Sequence, residues 1–202
     1  FGSTLGRFLR ANGVEATILD HDSDQVDLLR RMGFQVFYGD ATRLDILRSA
    51  GADSARILFI AIDEPETASR LIATVKKHFP RLRIMARAGN NLDAHELLEL
   101  GVDQIYRDFL DTSVRAGVEV LAALGQRRYS ATRAAQNFLK HDEAAMRHLA
   151  PHRHDQSNYI SNAREQIRLQ EQLLAVDRAS NPTLNDHAWD TSAPVPAAAE
   201  PT

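Results

Sequence analysis

Apolar and polar residues alternate in short blocks through residues 1–106. Leu5, Phe8 and Leu9 recur at helical spacing and Gly13 follows Asn12, so the pattern predicts a first helix that stops there. Glu15–Leu19 is a short apolar run closed by Asp20 and predicts a buried strand. Asp22 or Ser23 can cap a helix that carries Val26, Leu28, Leu29 and Met32 and ends at Gly33. Gln35–Tyr38 predicts a strand, Arg43–Ala50 a short helix before Gly51, and Arg56–Ile62 a nearly continuous apolar strand. Glu66–His78 predicts a helix stopped by Pro80, and Arg83–Arg87 a further strand. Leu92–Leu100 predicts a helix before Gly101, and Gln104–Tyr106 a short last strand.

Strand and helix alternating at this pitch predict a parallel sheet with right-handed crossovers. Continuous apolar strands are expected where helices cover both faces of such a sheet. The fold class is therefore α/β, a Rossmann-like doubly wound sheet. Its first strand is expected ahead of Phe1, so the sequence reads as part of a longer one. After residue 108 the strand patterns cease. Val114, Val118, Leu121 and Leu124 form one helical stripe, Tyr129–Met146 a second helix, and Asn158–Val176 a third. From Ala179 the chain is rich in Pro, Ala and Ser, which predicts a disordered tail with Trp189 as its one large anchor. The expected organisation is a sheet domain over 1–108, a helical arm over 109–150, a C-terminal helix over 151–178 and a tail over 179–202. The stripe on the arm is either an intrachain core face or a dimer seam. The seam is favoured, because a helix after the last strand has little sheet left to cover.

Composition narrows the function classes. In 202 residues, Lys+Arg 24 against Asp+Glu 27 leave a net charge of -3, which disfavours nucleic acid as a partner. The chain has no Cys, which excludes a disulfide scaffold, a thiol nucleophile and a Cys-ligated zinc site. No apolar run approaches the roughly 18 residues of a membrane span.

The candidate chemistry lies at strand ends. In a doubly wound fold a phosphate sits on the N-terminus of the first helix, where free N–H groups and the helix dipole face it. Gly2 and Gly6 are the only glycines of such a loop present. Asp20 closes a strand 18 residues after Gly2 (20 − 2), where an acid can hydrogen-bond a ribose diol. That favours a free 2′-hydroxyl, hence AMP, ADP, ATP or NAD(H) over NADP. Asp20 can instead cap the following helix. Asp40 and Ala41, in Gly39-Asp40-Ala41-Thr42, can border an adenine, or Asp40 or Thr42 can serve a turn and cap. Ala61 and Asp63 end the next strand with the same logic. Arg87 can reach a phosphate, reach a facing subunit, or stand as a surface cation.

Several of these runs resemble one family. Phe1-Gly2-Ser3-Thr4-Leu5-Gly6-Arg7 resembles the back of the glycine loop in the cytoplasmic regulator-of-potassium-conductance (RCK or KTN) domains. Thr17-Ile18-Leu19-Asp20-His21-Asp22, Val36-Phe37-Tyr38-Gly39-Asp40-Ala41-Thr42 and Ala61-Ile62-Asp63-Glu64-Pro65-Glu66-Thr67 resemble the Kef-type glutathione-gated potassium efflux antiporters. Lys77-His78-Phe79-Pro80 and Met85-Ala86-Arg87-Ala88 extend the likeness, which covers about residues 1–140. His187-Ala188-Trp189 faintly resembles a tail element of the family.

The resemblance implies a ligand-sensing module and not an enzyme. It implies a homodimer on the cytoplasmic face of the inner membrane, joined to a membrane transport domain in the same polypeptide. It implies AMP, or NAD(H) or ATP, in the crevice, with Gly2, Asp20, His21, Gly39, Asp40, Ala41, Thr42, Ala61, Asp63 and Arg87 as its residues. It also implies glutathione as a regulatory ligand contacted by Arg7 and Arg107, and an ancillary oxidoreductase subunit as a further partner. Two positions depart from the family: Asp142 stands where its arm offers glutathione an Asn, and Met32, with Phe34 two residues on, stands where it places a Phe wedge.

Two other classes are weaker. An NAD-dependent oxidoreductase would show a second domain aiming an acid/base residue into the crevice. The NAD(H)- or ATP-binding subunit of a potassium uptake system would show a β-rich second subdomain. Only helices and a tail follow residue 109. His148, His152 and His154 straddle Pro151 and predict a solvated turn in place of a metal site.

Overall fold

A computed structural model describes residues 1–152 and 155–179. The order of elements is α1 (Gly2–Ala11), β1 (Thr17–Asp20), α2 (Ser23–Arg31), β2 (Gln35–Tyr38), α3 (Leu44–Ser49), β3 (Ile57–Ile60), α4 (Pro65–His78), β4 (Arg83–Ala88), α5 (Asn91–Glu99) and β5 (Gln104–Arg107). Three helices follow: α6 (Leu110–Ala123), α7 (Arg128–Leu149) and, after a single 3-10 turn at Ala150–His152, α8 (Gln156–Ala179). The chain forms two compact units, Phe1–Gly89 with Glu96–Tyr106, and Asn90–His95 with Arg107–Thr202. The expected tail, Trp189 and His154 lie outside the described residues.

In the first unit β1 and β2 run parallel, with Thr17 opposite Gln35 and Asp20 opposite Tyr38. Val26 and Leu29 of α2 pack with Val36 of β2, and Ile18 and Phe34 close the cluster. Leu28 and Met32, the other apolar residues of this predicted helix, are exposed. The helix buries one narrow stripe, and Met32 already belongs to its C-cap. Gly6 is the buried residue of α1, and a Cβ there would stand 3.3 Å from the Ile18 side chain, so glycine lets α1 lie close to β1.

β3 and β4 are also parallel, Ile57 facing Arg83 and Ile60 facing Ala86, and β5 adds to the far side of β4. The amide of Ile84 donates to Asp103 Oδ2 at 2.7 Å, which anchors the approach to β5. α4 starts at Pro65, where a missing N–H costs nothing, and buries Ala68, Leu71, Ile72 and Val75. With Phe79, Leu82, Ile84 and Ala86 they form the apolar interior, each large side chain contributing about 1.5–3 kcal/mol.

Two departures concern the strands. They group as a pair, β1-β2, and a triple, β3-β4-β5, and not as one described sheet. The doubly wound order puts the strand leading into α1 between these groups, and none of the five described strands has that place. The strands are also less covered than continuous apolar runs suggest: β1 has no fully buried residue and Ile57 of β3 is exposed.

In the second unit α6 and α7 form a helical hairpin. The Gly125 amide donates to the Ala122 carbonyl and the Gln126 amide to the Leu121 carbonyl, closing α6. Asp155 accepts from the Asn158 amide at 3.1 Å at the start of α8. Gln170 Nε2 donates to the Phe138 carbonyl at 3.2 Å and holds α8 on α7. Buried His95 meets the Tyr159 ring edge-on at 5.8 Å. α6 buries no residue within the chain, and Val120 and Leu124 are exposed. Beside it opens an apolar cavity of about 600 Å³ walled by Val118, Leu121, Phe138 and Leu174 among others.

Candidate functional site

Parallel strands direct their carboxyl ends to one edge, and that edge carries most of the residues singled out in the first unit. Asp20 is the last residue of β1, with its side chain 31% exposed. Its Oδ1 accepts from the Asp22 amide at 3.1 Å, and among the described residues nothing donates to Oδ2. The cap of α2 is Asp22, which accepts from the amides of Asp24 and Gln25, so Asp20 is not the helix cap. His21 is exposed and places Nδ1 3.8 Å from Asp20 Oδ1. The result is a partly exposed carboxylate fixed at one oxygen by the backbone, with the other unbonded among the described residues.

Gly39 follows β2 and donates its amide to the Asp20 carbonyl at 2.9 Å. A Cβ on Gly39 would come within 3.1 Å of Ile46, so glycine lets this turn lie close over α3. Asp40 Oδ1 accepts from the Thr42 amide and from its hydroxyl, each at 2.8 Å. Those two bonds, the backbone one foremost, hold the Asp40 carboxyl below the usual carboxylate range, with help from Arg70 and Arg43. Neither Asp40 nor Thr42 caps α3, whose N-cap position is Arg43 without a side-chain bond. Asp40 Oδ1 serves the turn at Thr42 instead. Ala41 is half-buried between them.

Beyond β3, exposed Asp63 pairs with Arg87 at 2.8 Å. Arg87 is only 18% exposed at its side chain and lies 5.7 Å from the Phe1 ring centroid. Phe1 stacks on Phe59 at 5.5 Å, and Phe59 meets Tyr106 at 5.6 Å. Gly2 starts α1 beside Phe1, and a Cβ there would touch Ala61 at an ordinary 3.6 Å. α1 thus starts one residue after the ring that the Arg87 guanidinium covers, and the amides of a helix's first turn have no intrahelical partner. The Phe1, Phe59 and Tyr106 cluster was not anticipated. Phe59 sits in an apolar strand like any core residue, and only the fold brings it to Phe1.

The second unit holds Arg107 and Asp142. Arg107 ends β5 with its side chain 5% exposed. Its Nη1 donates to Asn91 Oδ1 at 3.1 Å, and its Nη2 donates to the Asp142 carboxylate. Arg7, expected alongside them, is an exposed residue of α1 in the first unit. Near the expected wedge position, Arg10 covers the Phe34 ring at 5.1 Å and bonds the carbonyls of Met32 and Gly33. Among the described residues no three His, Cys, Asp or Glu side chains form a metal-binding group. No helix there is long and apolar enough to cross a membrane.

Residues 1–108 match the family model of the TrkA-N domain, and residues 112–188 match that of the potassium efflux system KefB C-terminal domain. The Shewanella denitrificans Kef C-terminal domain, solved in an AMP-bound form, is 42% identical with a TM-score of 0.67, over 75% of this chain and 92% of that one. The TrkA-N domain of the Escherichia coli inner membrane protein ybaL is 26% identical with a TM-score of 0.54, over 59% and 88%. The GsuK channel bound to NAD shares the fold at 21% identity and a TM-score of 0.52, over 58% of this chain and 21% of its own.

Proposed function

Since the chain belongs to the TrkA-N family and is a Kef-type regulatory domain, not an enzyme, we propose that its first unit binds AMP at the strand-end crevice and that this binding regulates a potassium/proton efflux antiporter. One observation carries the reading: Asp20 presents an unbonded carboxylate oxygen at the end of β1, held in place by the Asp22 amide. A vicinal ribose diol donates to such an acceptor, while a 2′-phosphate would repel it. The α1 N-terminus and Arg87 supply the cationic end for a phosphate, and the Gly39–Thr42 turn borders the base. The AMP-bound relative supports the choice among adenine nucleotides.

The family implies attachment to a membrane transport domain, here proposed to lie in the same polypeptide with this chain on the cytoplasmic face. Glutathione is proposed as the second ligand, with Arg107 supplying the cation for one of its carboxylates. The exposed stripe of α6 is proposed as a homodimer seam, and an ancillary oxidoreductase subunit as a further partner. Binding energy at these sites then shifts a two-state dimer.

Thermal-shift titration with AMP, ADP, ATP, NADH and NADPH tests the reading. A ligand at a hundredfold over its Kd adds about 2.7 kcal/mol to the native state. AMP is expected to raise the midpoint, NADPH to leave it unchanged, and Asp20→Ala to abolish the AMP shift. An undiminished shift in Asp20→Ala removes Asp20 from the site.

A further inference from the structure

Arg107 is a cation almost wholly inside its unit, and its counter-charge comes from 35 residues further along the chain, on α7. The Asp142 side chain is 24% exposed, and it also lines the apolar cavity beside Phe138 and Leu174. Its carboxylate therefore stands at the boundary between a buried guanidinium and open apolar space. A buried cation needs such a partner, because an uncompensated charge in a low-dielectric interior is strongly unfavourable. The other terminal nitrogen of the guanidinium is bonded to the neutral Asn91 amide, so among the described residues Asp142 supplies the negative charge that pairs with Arg107.

We propose that Asp142 is a built-in carboxylate: it occupies the face of Arg107 that a ligand carboxylate would take, and it sets the site against carboxylate ligands. The proposal rests on the reading that Arg107 meets glutathione. An incoming carboxylate must displace Asp142, so it exchanges one Arg–carboxylate pair for another and gains none. It then lies beside the displaced charge, since α7 holds Asp142 close. A neutral amide at position 142 removes both obstacles while keeping a group that can still accept from Arg107. Asp142 is thus a specificity-determining residue, raising the glutathione concentration at which the site fills.

The test uses the 202-residue chain and two independent readouts. Glutathione is titrated calorimetrically into the parent, Asp142→Asn and Arg107→Ala. Asp142→Asn is expected to bind at least tenfold tighter than the parent, and that gain is expected to vanish with a glutathione whose carboxylates are converted to amides. The second readout is the thermal midpoint of Asp142→Ala, which leaves a gap beside the guanidinium. Sodium formate is expected to raise that midpoint more than sodium chloride at equal ionic strength, and not to do so in the Asp142→Ala, Arg107→Ala double variant. If Asp142→Asn gains nothing while Arg107→Ala still weakens glutathione, or if formate rescues no better than chloride, the proposal is overturned and the glutathione reading of Arg107 stands. If the parent, Asp142→Asn and Arg107→Ala bind alike, that reading falls and the proposal falls with it.

Discussion

The Asp40 carboxylate accepts both the amide and the hydroxyl of Thr42, each at 2.8 Å. The pair closes the loop between β2 and α3 and lowers the Asp40 pKa, the backbone bond being the larger cause. A carboxyl depressed in the folded state adds stability that is complete above its unfolded pKa and is lost as pH falls through its lower folded value. Thr42→Val removes the hydroxyl and keeps the amide bond. The Asp40 pKa is then expected to rise part of the way to its ordinary value, read from the pH dependence of its carboxyl carbon shift. An unchanged value would show that the hydroxyl bond is not made in solution.

Gly6 sets the distance between α1 and β1. Replacing a helical glycine by alanine gains up to about 1 kcal/mol of propensity. The new Cβ would sit 3.3 Å from Ile18, which asks for a shift of a few tenths of an ångström. Gly6→Ala is therefore expected to be near neutral in urea unfolding. Gly6→Leu is expected to lose about 1–3 kcal/mol through overpacking. Equal stability for both variants would mean that the helix is not seated on Ile18.

The two faces of the helices give a control pair. Ile72 of α4 is 1% exposed, and Ile72→Ala is expected to cost about 2–5 kcal/mol. Leu28 of α2 is 47% exposed, and Leu28→Ala should stay within about 0.5 kcal/mol. A large loss at Leu28 would point to a partner surface on α2.

The proposed seam predicts an oligomeric change. Leu124 is 77% exposed at the end of α6, and Val118 lies on the same stripe beside the apolar cavity. Val118→Glu brings two like charges together across a two-fold seam. Sedimentation equilibrium is expected to give a dimer for the parent and a monomer for this variant, with unchanged helix content by circular dichroism. A parent that stays monomeric at high concentration refutes the seam.

Local pattern was enough for much of the chain. Gln35–Tyr38 is a strand with the expected bounds, and Gly13 and Gly33 end their helices at φ +74° and +80°. Each depends on neighbours within a few residues, through apolar spacing and the freedom of glycine at positive φ. The position of Asp20 at a strand end was legible for the same reason. So was Asp22, one of the two residues expected to cap α2 and the one that does; backbone geometry decides it over Ser23 and over Asp20.

By itself, then, the sequence determined the alternation of elements, the strand-end carboxylate and the switch to helices after β5, because these are written in short-range periodicity. Only the tertiary structure decided that Phe1 stacks on Phe59, that Arg10 covers Phe34, and that Asp142 neutralises Arg107. Those pairs join residues 24 or more positions apart, and no local pattern encodes which distant side chain a buried cation or ring will meet. Burial selects the partner, because a guanidinium taken out of water takes the carboxylate that folding brings to it.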